Sequence, residues 1–167
     1  QIRSGQGADM RQTAQEELKL VIQQINELTK IYHNAVSSHH ISENEFWIWY
    51  ILILTDGEHS QQSICDAWFL TKQTVNTIVG NMVKEGYAIL APIQGTKNRK
   101  SIHLTEQGRQ HGEQIVLPIA YAEQRALGRI RAKELAACTS ALRKLTQFLK
   151  EEISHAESES DSEGWAF

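Results

Sequence analysis

Cysteine is scarce: Cys65 and Cys138 are the two in 167 residues, and neither stands at metal-site spacing from another ligand. That excludes a disulfide framework and a Cys-based zinc motif, and it sets the expectation of a reduced, cytoplasmic protein with both thiols on apolar helix faces. Long hydrophobic runs are missing too. The longest, residues 46–54, has nine residues, about half of the roughly 20 that a membrane-spanning helix needs. Nothing at the N-terminus resembles a signal peptide, and residues 1–10 read as a leader outside the fold. Seven histidines include no His-x-x-x-His pair, so no metal site is expected. A Gly-rich phosphate loop, a Gly-x-Ser-x-Gly elbow and an obvious carboxylate pair are also lacking. The chain reads as no enzyme, with no required cofactor.

Net positive charge is the last thing missing. The formal charge is −3, the wrong sign for a nucleic-acid binder, but the deficit is local. Residues 151–167 hold Glu151, Glu152, Glu157, Glu159, Asp161 and Glu163 and no Lys or Arg. The first 150 residues therefore carry all 17 basic residues against 14 of the 20 acidic ones, a formal +3. The serine-rich acidic stretch 154–167 is expected to be disordered. With 41% hydrophobic and 22% charged residues, the rest is one ordinary soluble domain with a core to bury.

What is present centres on residues 60–105. Val75, Ile78, Val79 and Met82 recur at helical spacing and lay one apolar stripe along a helix over residues 71–86. Its opposite face crowds Thr71, Lys72, Gln73, Thr74, Asn76 and Thr77 into the first two turns, beside the free N–H groups of a helix start. Ser60 caps a shorter helix before it, with Ile64 and Cys65 inward and Gln61, Gln62 and Asp66 outward, and the link Trp68-Phe69-Leu70 is short. Helix, turn, helix follows. After Gly86, residues 87–92 and 101–105 read as two strands, joined by Gln94-Gly95-Thr96-Lys97-Asn98-Arg99-Lys100. A hairpin with three cations at its tip, placed after a helix-turn-helix, is a wing.

In order, Ile41-Ser42-Glu43-Asn44-Glu45-Phe46, Ser60-Gln61-Gln62, residues 71–87 and Leu104-Thr105-Glu106-Gln107-Gly108 resemble the landmarks of the MarR family of winged-helix transcription regulators, over roughly residues 12–152. The resemblance implies a dimer that binds DNA. Many members carry Asp-x-Arg in the wing, where the carboxylate pairs with arginine and sets the tip. Here Thr96, Lys97 and Asn98 stand nearest, and Asn98 cannot form that pair. Which of Lys97, Arg99 and Lys100 enters a groove is left open. Members also bind small aromatic or anionic effectors between their lobes, which makes Tyr32, His33, Trp47 and Tyr50 the candidate effector residues.

Outside the wing, Leu18, Val21, Ile25, Leu28, Tyr32 and Ala35 form a heptad seam on a helix over residues 11–36. Leu135, Cys138, Leu142, Leu145 and Leu149 form another on a helix over residues 132–153. Both are assigned to a homodimer; packing on each other within a monomer is the alternative. Ser42 and Glu45 promise a capping box, with Ile41 and Phe46 as its staple, opening a helix that is apolar all round until Asp56-Gly57. Thr105 caps a later helix holding Ile115, Val116, Ile119, Ala122, Ala126 and Ile130, with a kink expected over residues 112–117 ahead of Pro118.

The expected architecture is therefore mainly α with a small two- or three-stranded β-wing. Residues 11–56 supply the N-terminal dimerisation helix and the central helix. Residues 57–105 form the winged helix-turn-helix lobe and residues 106–153 the C-terminal dimerisation helices. The expected function is a ligand-responsive repressor that binds a pseudo-palindromic operator in double-stranded DNA. A winged-helix interaction or architectural module without specific readout is the alternative. Gln73, Asn76 and Thr77 are candidates for base edges, Ser60, Gln61, Thr71, Lys72 and Thr74 for phosphates, and Lys97, Asn98, Arg99 and Lys100 for wing contacts.

Overall fold

The second helix organises the core. In the computed structural model, which describes the backbone of residues 3–162 and the side chains of residues 12–158, it spans Glu43–Leu54 (α2). Phe46, Ile48 and Trp49 on it are fully buried, while Trp47, Tyr50 and Ile53 are half-covered and Leu54 is exposed. Its all-round apolar sequence is thus covered on most sides, not on all. Ser42 Oγ accepts the Glu45 N–H (3.1 Å), but Glu45 does not complete the expected capping box. Its carboxylate accepts instead from Trp49 Nε1 (3.4 Å), because a buried indole N–H needs a partner more than a solvated helix end does.

Burial beside this indole pushes the Glu45 carboxyl above its ordinary range. The Trp49 hydrogen bond opposes the shift, Glu85 adds to it by repulsion, and His111 opposes it by attraction. A carboxyl whose pKa is raised by folding binds its proton more tightly in the folded state, so its contribution to stability is present in acid and lost as pH rises through the folded pKa. Glu45→Gln keeps the acceptor for Trp49 and removes the charge. Its melting temperature should match the parent below the ordinary carboxylate range and exceed it at neutral pH. A difference that does not change with pH would contradict this assignment.

In chain order the elements are α1 (Arg3–Ser37), α2, α3 (Gln61–Trp68), α4 (Lys72–Lys84), β1 (Ala88–Pro92), β2 (Lys100–Leu104), α5 (Glu106–Leu127) and α6 (Ala132–Ser162). The architecture is mostly helical with one small antiparallel sheet. Two ends differ from expectation. α1 begins at Arg3, inside the expected leader, and α6 continues through residues 154–162, where disorder is expected from composition; residues 163–167 of that stretch lie outside the described residues. A helix already nucleated extends at one hydrogen bond per residue fixed, and the Ser154 hydroxyl donates back to the Lys150 carbonyl (2.8 Å) rather than ending it.

The α3 to α4 link is tight. Leu70 N–H reaches the Cys65 carbonyl (3.2 Å), and Phe69 closes the helix in the left-handed region at φ 53, a conformation more usual for glycine. α4 ends in a Schellman turn: Tyr87 N–H bonds the Met82 carbonyl (2.8 Å), Gly86 N–H bonds the Val83 carbonyl (3.1 Å), and Gly86 takes φ 79. β1 pairs with β2 from Ala88↔Leu104 to Pro92↔Lys100. A third strand is reduced to a single bridge, Ser60↔Ser101, reinforced by Ile102 N–H to the His59 carbonyl (2.8 Å). This bridge ties the start of α3 to the wing.

The Leu-Thr-Glu-x-Gly sequence acquires a physical reason at the start of α5. Thr105 Oγ1 accepts the Gly108 N–H (3.0 Å) and donates to the Gly86 carbonyl (2.7 Å), while Thr105 N–H bonds the Tyr87 carbonyl (3.0 Å). A Cβ on Gly108 would lie 1.8 Å from that Tyr87 oxygen, and one on Gly112 would lie 2.7 Å from the Trp49 ring. Both glycines let α5 approach closely enough for His111 to stack on Tyr87, centroids 4.5 Å apart. α5 then runs unbroken through Pro118.

The chain divides into two compact units at Ala120/Tyr121, just past this proline. In the first, α1 leaves Leu20, Ile25, Leu28 and Ile31 about half-exposed. In the second, α6 does the same with Leu135, Phe148, Leu149 and Ile153. Of the two thiols expected on apolar helix faces, Cys65 is buried and Cys138 is exposed, on the α6 seam assigned to the dimer.

Candidate nucleic-acid interface

Each helix of the helix-turn-helix opens with a side-chain cap, and each cap leaves donors over. At α3, Ser60 Oγ accepts the Ser63 N–H (3.1 Å) and Ser63 Oγ accepts the Ser60 N–H (2.9 Å). Ser60 is buried, with its hydroxyl committed to this box. The N–H groups of Gln61 and Gln62, at the first two helical positions, remain for an acceptor outside the helix. At α4, Thr71 Oγ1 accepts the Thr74 N–H (3.1 Å) and shares a hydrogen with Thr74 Oγ1 (2.8 Å). The same arithmetic leaves Lys72 and Gln73 their backbone donors.

Burial separates the two faces of α4. Val75, Val79 and Met82 are in the core and Ile78 is half-covered, while Lys72, Gln73, Asn76 and Thr77 are exposed. Thr77 Oγ1 donates to the Gln73 carbonyl (2.9 Å), which leaves its methyl group and oxygen lone pairs for a neighbour. The three residues assigned to base edges thus share the solvent side of the first turns.

At the wing tip the missing Asp-x-Arg pair is replaced by a turn. Gly95 adopts φ 78, and the Thr96 N–H (3.2 Å) and Oγ1 (2.9 Å) both donate to the Ile93 carbonyl. Ile93 N–H closes the loop onto the Arg99 carbonyl (2.9 Å). Asn98 therefore has no ion pair to supply; threonine and glycine set the tip.

Helices and wing then meet. A cavity of about 210 Å3 is lined by Ser60, the cap of α3, by Gln61, Gln62 and Cys65 from α3, by Lys72 and Asn76 from α4, and by Asn98, Arg99 and Lys100 from the wing. Seven of the residues assigned to DNA from sequence are brought together here. Thr71, Gln73, Thr74, Thr77 and Lys97 do not line it. Gln62 and Cys65 do, without having been assigned there. Gln62 was legible as an outward residue of α3, and its amide also bonds Asp66 (2.7 Å). Cys65 carried no signal, because an inward thiol meets cations of the wing only after the hairpin folds back.

The four candidate effector residues are split. Tyr32, Trp47 and Tyr50 belong to one half-buried aromatic cluster, with Tyr32–Trp47 centroids 5.0 Å and Trp47–Tyr50 centroids 5.5 Å apart. Trp68 completes it, stacked 4.5 Å from Trp47. His33 does not join them. Its Nδ1 lies 2.6 Å from Glu43 Oε1, and it lines a separate cavity of about 420 Å3 floored by Val36 and Ile41. One helical step from Tyr32 to His33 turns the side chain by about 100°, which separates two groups adjacent in sequence. Among the described residues no group of three or more His, Cys, Asp or Glu is placed to hold a metal ion, and no helix is long and apolar enough to cross a membrane.

No family model and no curated protein matches the sequence. Solved structures do match. A MarR family regulator from Neisseria meningitidis superposes with a TM-score of 0.72 at 19% identity, over 84% of this chain and 98% of that one. S. aureus MepR in its DNA-binding conformation gives 0.64 at 18% identity, over 79% and 98%. Staphylococcus aureus MarR in complex with salicylate and kanamycin gives 0.60 at 16% identity, over 87% and 97%. The likeness at these identities is one of fold, and it covers each solved chain nearly end to end: this chain has the winged-helix fold of the MarR family regulators.

Proposed function

We propose that the protein is a sequence-specific DNA-binding transcriptional regulator that works in the cytoplasm, a homodimeric repressor that occupies a pseudo-palindromic operator with half-sites about one helical turn apart. One observation carries this reading: three cations, Lys72, Arg99 and Lys100, line one cavity with Asn76 of α4, between a helix-turn-helix and its wing. Gln73, Asn76 and Thr77 meet base edges in the major groove, and Lys72, Arg99 and Lys100 meet phosphates. The solved neighbour in its DNA-binding conformation supports the same use of the fold.

The division of roles has a direct test. Arg99→Ala should weaken binding to every duplex to a similar degree, whereas Gln73→Ala should also relax base preference, by about 1–3 kcal/mol at the position it reads. Equal losses on specific and random duplexes for both variants would sink the division.

Dimerisation is supported by the half-exposed apolar side chains on α1 and α6, which a single copy of the chain leaves uncovered. Leu142→Asp places a charge in the α6 seam and should abolish the dimer in sedimentation. A dimer that survives it would place the seam elsewhere. A small aromatic or anionic effector is assigned to the neighbourhood of the half-buried rings of Tyr32, Trp47, Tyr50 and Trp68, and the neighbour holding salicylate supports that chemistry.

A further inference from the structure

The wing carries three cations, and the structure treats them differently. Arg99 from the tip loop and Lys100 from the first position of β2 line the same cavity as Lys72 from the start of α4, whereas Lys97 lines no part of it. At a liquid share of about 30 Å3 per molecule, a cavity of about 210 Å3 has the volume of about seven waters. That is room enough for one phosphate group. Among the described residues none of the three cations has a salt bridge. The nearby Asp66 carboxylate takes the Gln62 amide. Three like charges that converge without a carboxylate repel one another, and an anion seated among them removes the repulsion. The N–H groups of Gln61 and Gln62, which the α3 cap leaves over, add neutral donors beside them.

We propose that this cavity seats a single phosphate of the duplex backbone, held jointly by Lys72, Arg99 and Lys100, and that Lys97 is the wing's remaining cation for the groove beyond. The proposal rests on the DNA-binding reading and deepens it. Arg99 from the wing and Lys72 from α4 thus meet on one shared phosphate. The tip is left to Lys97.

The test is the salt dependence of binding to one duplex by the wild-type protein, by the triple variant Lys72→Ala, Arg99→Ala, Lys100→Ala, and by Lys97→Ala. The slope of log K against log salt counts neutralised phosphates at about 0.9 each. A shared seat predicts that the triple variant loses about one unit per half-site, roughly two per dimer, and that Lys97→Ala loses about one more per half-site on its own. All four side chains are exposed, so unchanged melting curves should accompany these losses. A triple-variant loss of about three units per half-site would assign each cation its own phosphate and overturn the shared seat. An unchanged slope would overturn it as well, by showing that the cavity does not touch the backbone. Absence of duplex binding by the wild-type protein at low salt would overturn the DNA-binding reading itself, and the seat with it.

Discussion

Raising the salt from 50 to 200 mM should weaken duplex binding by ~10²-fold or more, since one shared phosphate seat and one Lys97 contact per half-site make about four phosphate contacts per dimer. The expectation follows from the distribution of charge, not from its total. The chain as a whole is at −3, yet Lys72, Arg99 and Lys100 face one cavity while the acidic excess lies in residues 151–167. Each cation that neutralises a phosphate releases a condensed counterion, and that release is what salt opposes. A polyanion drawn only to a weakly charged surface would show a shallow slope. Affinity measured across the salt series by fluorescence anisotropy checks the prediction; a change of less than about tenfold would mean that the cations of α4 and the wing are not on the backbone.

The second large effect is on the fold. Gly108→Ala should destabilise the protein, although alanine is the better helix former by about 1 kcal/mol. The added Cβ would lie 1.8 Å from the Tyr87 carbonyl oxygen, a backbone atom that is itself held by the Thr105 N–H (3.0 Å). Relief requires the start of α5 to move off the strand. Overpacking costs up to about 3 kcal/mol, so the net loss is about 2 kcal/mol, or roughly 4–8 °C in melting temperature for a chain of this size. Gly80 supplies the control. It lies on the exposed side of α4, where an added Cβ would meet nothing within 4 Å, so Gly80→Ala should stabilise by about 1 kcal/mol. Two glycine-to-alanine changes of the same sign would contradict the close approach at Gly108.

Much of this arrangement is legible in residue order. The spacing of Val75, Val79 and Met82, the cap at Ser60, the glycine at position 86 and the cations around Gly95 each have local causes, and each local cause survives folding. Other features depend on what lies opposite in space. Spacing makes Glu45 a cap partner of Ser42, but a buried Trp49 N–H competes for it. Adjacency groups His33 with Tyr32, but Glu43 across the α1 to α2 turn takes its imidazole. Trp68 joins the aromatic cluster only because α3 packs beside α2. The helix ends at Arg3 and Ser162 escape a reading by composition, which weighs isolated segments, whereas both are continuations of helices already formed. Likewise, nothing in the order of residues says that Arg99 and Lys100 share a cavity with Lys72. That requires the hairpin to fold back along α3, through the Ser60↔Ser101 bridge.

Selection from randomised duplex DNA, with sequencing of the retained pool at several salt concentrations, tests the central claim most directly. The account predicts an enriched inverted repeat, with half-sites about one helical turn apart, whose retention falls steeply with salt. Retention that is salt-sensitive but without a motif, or no retention at any salt, would contradict a sequence-specific dimeric regulator.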